Sequence, residues 1–280
     1  ITINKNNSLV DIMLYKKNCD YSYYPNLSSY LGDYDYDKLR FVPIFNIYNF
    51  ISFINISLSA FKRDNYLFKE NYLSIKDIYN SIFFIFNTNY RINVKSNDLF
   101  SSLVIEEYNL YSNFSVMTES LQIYYFFNNL NKAKISFKKS INWFENQNHG
   151  KIWNFAINKF IGKDITIGFQ CIVPVKMYLS QYFITNQEIN SGVIPSIIYT
   201  VGDFTYNNLK NIPLTVISGP SIRFQHLYDS DQYKISKKIL FVALPYMPSE
   251  THSILTIVKN LPSHLLTIFD LKIKFHPTYH

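Results

Sequence analysis

Ser140-Ile141-Asn142-Trp143-Phe144 reads as a strand, and the residues after it place Ile152, Phe155, Ala156 and Phe160 on one face of a helix. Ile165-Thr166-Ile167-Gly168-Phe169 then returns as a second strand. Moving outward, Ile197-Ile198-Tyr199-Thr200-Val201, Leu214-Thr215-Val216-Ile217 and residues 237–244 read as further strands, and residues 271–275 close the series. Strands alternating with helices at this spacing predict parallel sheets in an α/β fold. The helix between the last two strands is expected to start at Ser249, with the Ser249 hydroxyl as cap and Glu250 in the first turn. Its buried face would be Ile254, Leu255, Val258 and Leu261.

Upstream of residue 135 the texture differs. Residues 1–60 are rich in Asn, Tyr and Asp with irregular period, and residues 64–131 read as mainly helical. Leu99, Leu103 and Val104 recur at helical spacing, as do Leu121, Tyr124, Tyr125, Phe126 and Leu130. The junction between two domains is expected between 203 and 236. It divides the chain into 1–212, a first domain with a helical insertion, and 213–280, the start of a second. That second part holds only two or three strands, and the chain begins with Ile1, so a fragment of a longer protein is expected.

Composition narrows the class. The 280 residues are 48% hydrophobic, and Tyr and Phe number 24 each beside abundant Asn, Ile and Lys. AT-rich codons produce that mixture, so aromatic and Lys richness is no evidence of binding. The net charge of +7 suits anionic substrates, acidic membrane surfaces or nucleic acid. Without a Lys/Arg block, an RNA-binding signature or zinc spacing, nucleic acid is set aside as a partner. Cys19 and Cys171 are too few and too far apart for a disulfide framework and fit a reducing cytoplasm. The most apolar stretch, 41–61, holds Pro43, three asparagines and three serines, so it reads as a buried helix or loop rather than a membrane span. An interfacial helix is the second reading of that stretch.

In open parallel sheets, ligands gather at the carboxyl ends of the strands. Glu145 and Asn146 stand after the first strand, Gln170 after the second, and Gly202-Asp203 after Val201. Ser218-Gly219-Pro220-Ser221 with Arg223 follow Ile217, and His276-Pro277 follow Phe275. Glu145 has the chemistry of a general base or of a carboxylate facing a sugar cation, and equally that of a surface residue capping the next helix. Asp203 also reads as a turn residue after Gly202. Ser218, Gly219, Ser221 and Arg223 can set backbone N–H groups, hydroxyls and charge against a phosphate, or form a plain turn. His276, aimed by Pro277, can donate to a phosphate or a nucleobase. The remaining histidines lack metal-ligand spacing, so neither a metal nor a cofactor is expected.

The run Trp143-Phe144-Glu145-Asn146-Gln147, then an aromatic-bearing helix, then Thr166-Ile167-Gly168-Phe169-Gln170, resembles bacterial surface carbohydrate biosynthesis proteins. Val201-Gly202-Asp203, the run from Val216 to Arg223, and Lys274-Phe275-His276-Pro277 continue the similarity over residues 140–280. The resemblance implies a GT-B architecture, two Rossmann-like domains facing a donor-binding cleft, here with the second domain incomplete. It implies kinship with metal-independent transferases that use CMP-activated Kdo or sialic acid. Glu145 then matches the catalytic carboxylate, Asp203 a second one, and His276-Pro277 the motif that binds the CMP phosphate. Cys171 stands where the family pattern has histidine, so Asn146, Gln170 and Cys171 are further cleft candidates.

The function expected is therefore a cytoplasmic glycosyltransferase of lipopolysaccharide or capsule synthesis. It would take a nucleotide-sugar donor and a glycan or lipid-linked acceptor, with peripheral docking on an anionic inner membrane. The alternatives are a sugar-nucleotide epimerase, a polyol-phosphate transferase, or a catalytically degenerate GT-B scaffold.

Overall fold

The computed structural model describes residues 5–14, 24, 37–45, 50–87, 98–111, 114–173, 179–219, 223, 238–245 and 247–275. By its contacts the chain divides into two units, Ile1–His226 and Leu227–His280.

The first unit is built on six parallel strands: β1 (Ser8–Leu14), β2 (Leu39–Phe45), β3 (Lys139–Trp143), β4 (Thr166–Phe169), β5 (Ile197–Val201) and β6 (Thr215–Gly219). Their spatial order is β2-β1-β3-β4-β5-β6. The helices α1 (Phe50–Phe61), α2 (Ile75–Asn87), α3 (Leu99–Tyr111) and α4 (Phe114–Lys132) lie between β2 and β3 in the chain. After them come α5 (Asn148–Phe160), α6 (Leu179–Tyr182), α7 (Asn186–Ser191) and α8 (Gly202–Leu209).

Two apolar clusters cover the sheet, and β1 contributes to both. Val10, Ile12 and Leu14 pack with Ile56 and Ala60 of α1, while Leu9 packs with Phe126 and Phe127 of α4 and Trp153 of α5. A strand buried on both faces needs no apolar/polar alternation. That is why the irregular period of residues 1–60 concealed β1. The apolar stretch 41–61 divides into the end of β2 and α1, and α1 is not the buried helix expected: only the stripe of Ile56 and Ala60 packs into the core, while Ile51, Leu58 and Phe61 are exposed. Pro43 is tolerated because β2 is the edge strand, where a missing N–H breaks no central ladder.

The division after His226 falls inside the expected window but past the 212/213 boundary. The reason is β6: Ile198 pairs with Val216 and Val201 with Gly219, which makes it the far edge of the first sheet. Helix α7 has a reciprocal capping box, in which Glu188 N donates to Thr185 Oγ1 at 3.2 Å and Thr185 N to Glu188 Oε2 at 2.8 Å. Gly192 ends it in the left-handed conformation. Thr185→Ala is expected to cost about 1 kcal/mol in urea unfolding, through the lost cap.

The second unit is a strand–helix–strand segment. β7 (Lys238–Ala243) and β8 (Phe269–Lys274) pair in parallel around α9 (Pro248–Lys259) and α10 (Ser263–Ile268). The helix α9 starts one residue before the expected cap, with Met247 at the N-cap position and Pro248 at the first helical position. Proline suits that position because its missing N–H has no helical partner there in any case. Ser249 lies inside the helix and caps nothing. Ile254, Leu255, Val258 and Leu261 are half-buried, and Thr251 is buried, donating to Pro245 O at 3.0 Å.

No helix among the described residues is long and apolar enough to cross a membrane.

Candidate functional site

The strand order reverses at β1: β2 is added on one side, then β3 on the other. Such a switch point opens a crevice outside the carboxyl ends of the two central strands, here β1 and β3. β3 ends at Trp143, so Phe144-Glu145-Asn146 falls at that crevice.

The turn is anchored on both sides of Glu145. Phe144 is buried against Ile194 and Ile198, and its N–H donates to Phe169 O at 2.7 Å. Asn146 takes the left-handed conformation (φ 54), which asparagine adopts more readily than most residues, and its Nδ2 donates to Ser180 O at 2.7 Å. Between them Glu145 is half-buried and accepts from Gln147 Nε2 at 3.0 Å. Burial pushes its carboxyl above the usual range, against the opposing pull of the Arg223 guanidinium. The carboxylate is not spent on capping α5. Gln147 holds the N-cap position, and no side chain accepts from the first turn there. Asn146 belongs to the support of the turn.

Gly168 on β4 holds this turn from beneath. A Cβ there would stand 2.7 Å from Pro195 Cγ and 2.9 Å from Phe144 Cβ. Gly168→Ala is expected to lower stability by about 1–3 kcal/mol by displacing Phe144, read as a reduced urea midpoint with an unchanged slope.

Cys171, just past β4, is 4% exposed and packs with Val10, Ile12 and Trp143. Its thiol donates to Phe169 O at 3.5 Å. Burial, with Glu145 adding to it, pushes the thiol far up, as for a structural rather than a reactive cysteine. Its electrostatic neighbours are Glu145, Arg223 and Asp11. Groups from the ends of β3 and β4, from β1 and from the segment after β6 therefore converge. Gln170 bridges the sheet, accepting from Val201 N at 3.2 Å, while its buried Nε2 has no partner among the described residues.

Asp203 and the Ser218-Gly219 pair stand on the far side of β4. Asp203 lies in the first turn of α8, after Gly202 at φ 71, and accepts from Ser218 Oγ at 2.6 Å. Gly219 has a packing reason, since a Cβ there would come within 3.1 Å of Tyr199 Cβ. Asp203 and Ser218 satisfy each other, and Gly219 has its own packing reason, so nothing in these contacts reserves the three for a phosphate. Ser221, His276 and Pro277 lie outside the described residues.

One pair at the crevice escaped sequence reasoning. Asp11, in the middle of β1, is fully buried, and its Oδ2 lies 3.0 Å from Nε2 of His149 in the first turn of α5. Burial raises the Asp11 carboxyl, and His149 opposes the rise. Trp143 stacks on the imidazole, with ring centroids 5.3 Å apart and planes within 9°. The available signal was a carboxylate inside the apolar run from Leu9 to Leu14, because a buried parallel strand rarely carries an unpaired charge.

Among the described residues no three His, Cys, Asp or Glu side chains gather as a metal would require. A cavity of about 620 Å³ opens at the opposite, amino edge of the sheet, lined by Asn158, Gly192, Pro213 and Thr215 among others. It is remote from the carboxyl ends where the charged groups meet. No family model, curated protein or solved structure matches the chain.

Proposed function

We propose that the chain is a glycosyltransferase of GT-B type acting in bacterial surface polysaccharide synthesis. It takes a sugar from a nucleotide donor, CMP-linked by the resemblance of residues 140–280, and passes it to a glycan or lipid-linked acceptor. The observation that carries this reading is Glu145. It is a half-buried carboxylate held at the switch point of a parallel sheet, not used as a helix cap, with a guanidinium in electrostatic reach. Glycosyl transfer needs that pair: a carboxylate for the cationic sugar and a cation for the departing phosphate. Arg223 suits the phosphate side, with His276 and Pro277 assigned to it by the same resemblance. The net charge of +7 favours docking on an anionic inner-membrane surface, where lipid-linked acceptors lie.

Titration calorimetry with CMP, UDP, GDP and ADP tests the reading. Selective binding of CMP is the expected result. Selective UDP or GDP binding would keep the transferase and discard the CMP-sugar kinship. A folded chain that binds none of the four would favour the scaffold, a reading to which the buried Cys171, standing where the resembled family has histidine, lends support.

A further inference from the structure

Asp11 and His149 have no part in the reading above, and packing alone does not account for them. A carboxylate in the centre of a core strand costs several kcal/mol unless paired. Among the described residues its hydrogen-bond partner is the imidazole of His149 on α5, and Oδ1 has none. An apolar residue at position 11 would fill the same space against Leu9 and Val42 without that cost. The histidine is held from two more directions, by the stacked Trp143 and by Trp153 with its centroid 6.1 Å away. The His149 side chain nevertheless keeps 18% exposure, at the crevice mouth and four residues beyond Glu145.

A carboxylate accepting from Nε2–H fixes the neutral ring in the tautomer whose Nδ1 carries the lone pair. We propose that His149, oriented by Asp11, is the base that takes the proton from the attacking hydroxyl, and that Glu145 faces the sugar. The substrate identity rests on the glycosyltransferase reading; the dyad itself rests on the geometry. In the step, the acceptor O–H bond breaks and its proton moves to Nδ1. The freed oxygen pair forms the new bond to the anomeric carbon. The bond from that carbon to the phosphate oxygen breaks, and its electron pair leaves with the nucleotide. The imidazolium so formed is balanced by the Asp11 carboxylate until its proton passes to solvent. Asp11 is a positioning residue, since it touches only the base. The other charged groups acting on Asp11 are Glu119 and Lys69, themselves 3.7 Å apart, and they act in opposite directions.

Two measurements on the 280-residue chain test this. Nitrogen-15 NMR of the histidine rings reports the tautomer without any substrate. The expected result is Nε2–H with an unprotonated Nδ1 for His149, and a mixture of both tautomers in Asp11→Asn. An Nδ1–H ring in the wild type overturns the dyad. The second measurement is release of CMP from CMP-sialic acid and CMP-Kdo, with water as the acceptor. His149→Ala should slow release by roughly 10²–10⁴-fold while CMP affinity stays within about twofold, and added imidazole should restore part of the rate. Wild-type release in His149→Ala, or a loss wholly explained by weaker CMP binding, overturns the proposal. A wild-type chain that binds no nucleotide sinks the glycosyltransferase reading instead, and the tautomer then decides for or against the dyad.

Discussion

If Glu145 faces the donor sugar as proposed, Glu145→Gln is expected to slow donor turnover severely while leaving nucleotide binding and the fold intact. The exchange keeps the shape of the side chain and the contact with Gln147 but removes the negative charge. A cationic sugar in the transition state loses its counter-charge, which in comparable chemistry slows turnover by roughly 10²–10⁴-fold. Stability should move little, because Glu145 caps no helix and its hydrogen-bond partner is the exposed Gln147. CMP release from a CMP-sugar, followed beside a urea melt, checks both halves. A glutamine variant that turns over donor at the wild-type rate would leave Glu145 without a chemical role.

The largest expected effect on stability is that of Trp153→Ala. Trp153 is 1% exposed and packs edge-on against Phe127 with centroids 4.9 Å apart. Its Nε1 donates to Ser140 Oγ at 2.9 Å, joining α5 to β3. Truncation leaves a cavity and strands a buried hydroxyl at once, so a loss of about 3–5 kcal/mol is expected. Since α5 also carries His149, the variant should lose activity in step with its folded fraction. Urea unfolding monitored by circular dichroism measures the loss. A change below about 1 kcal/mol would mean that α5 does not pack on the sheet as described.

The β3–α5–β4 unit was legible because three physical signals agree there. The strands end in polar residues, the helix has one apolar stripe, and the connections are short. Gly168 was legible as part of a motif, but its reason, the contact with Phe144 and Pro195, appears only in three dimensions. β1 was not legible, since a strand covered on both faces shows neither alternation nor a helical stripe. Asp11 was lost with it, and His149 without Asp11 is one of four scattered histidines, beside His226, His252 and His264. Ser218 and Asp203 were read as separate candidates because their hydrogen bond spans a helix and a strand edge. Chemistry that depends on pairing across the sheet is invisible to spacing along the chain, whereas the turn after β3 lies within one contiguous segment.

On the proposed reading, ligand binds at the carboxyl ends of β1 and β3. Backbone amide shifts of the nitrogen-15-labelled chain on adding CMP map that place. Shifts concentrated on residues 145–151, with Gln170 and Cys171, are the expected result. Shifts confined to the amino-edge cavity around Asn158, Gly192 and Thr215, with residues 145–151 unmoved, would contradict it.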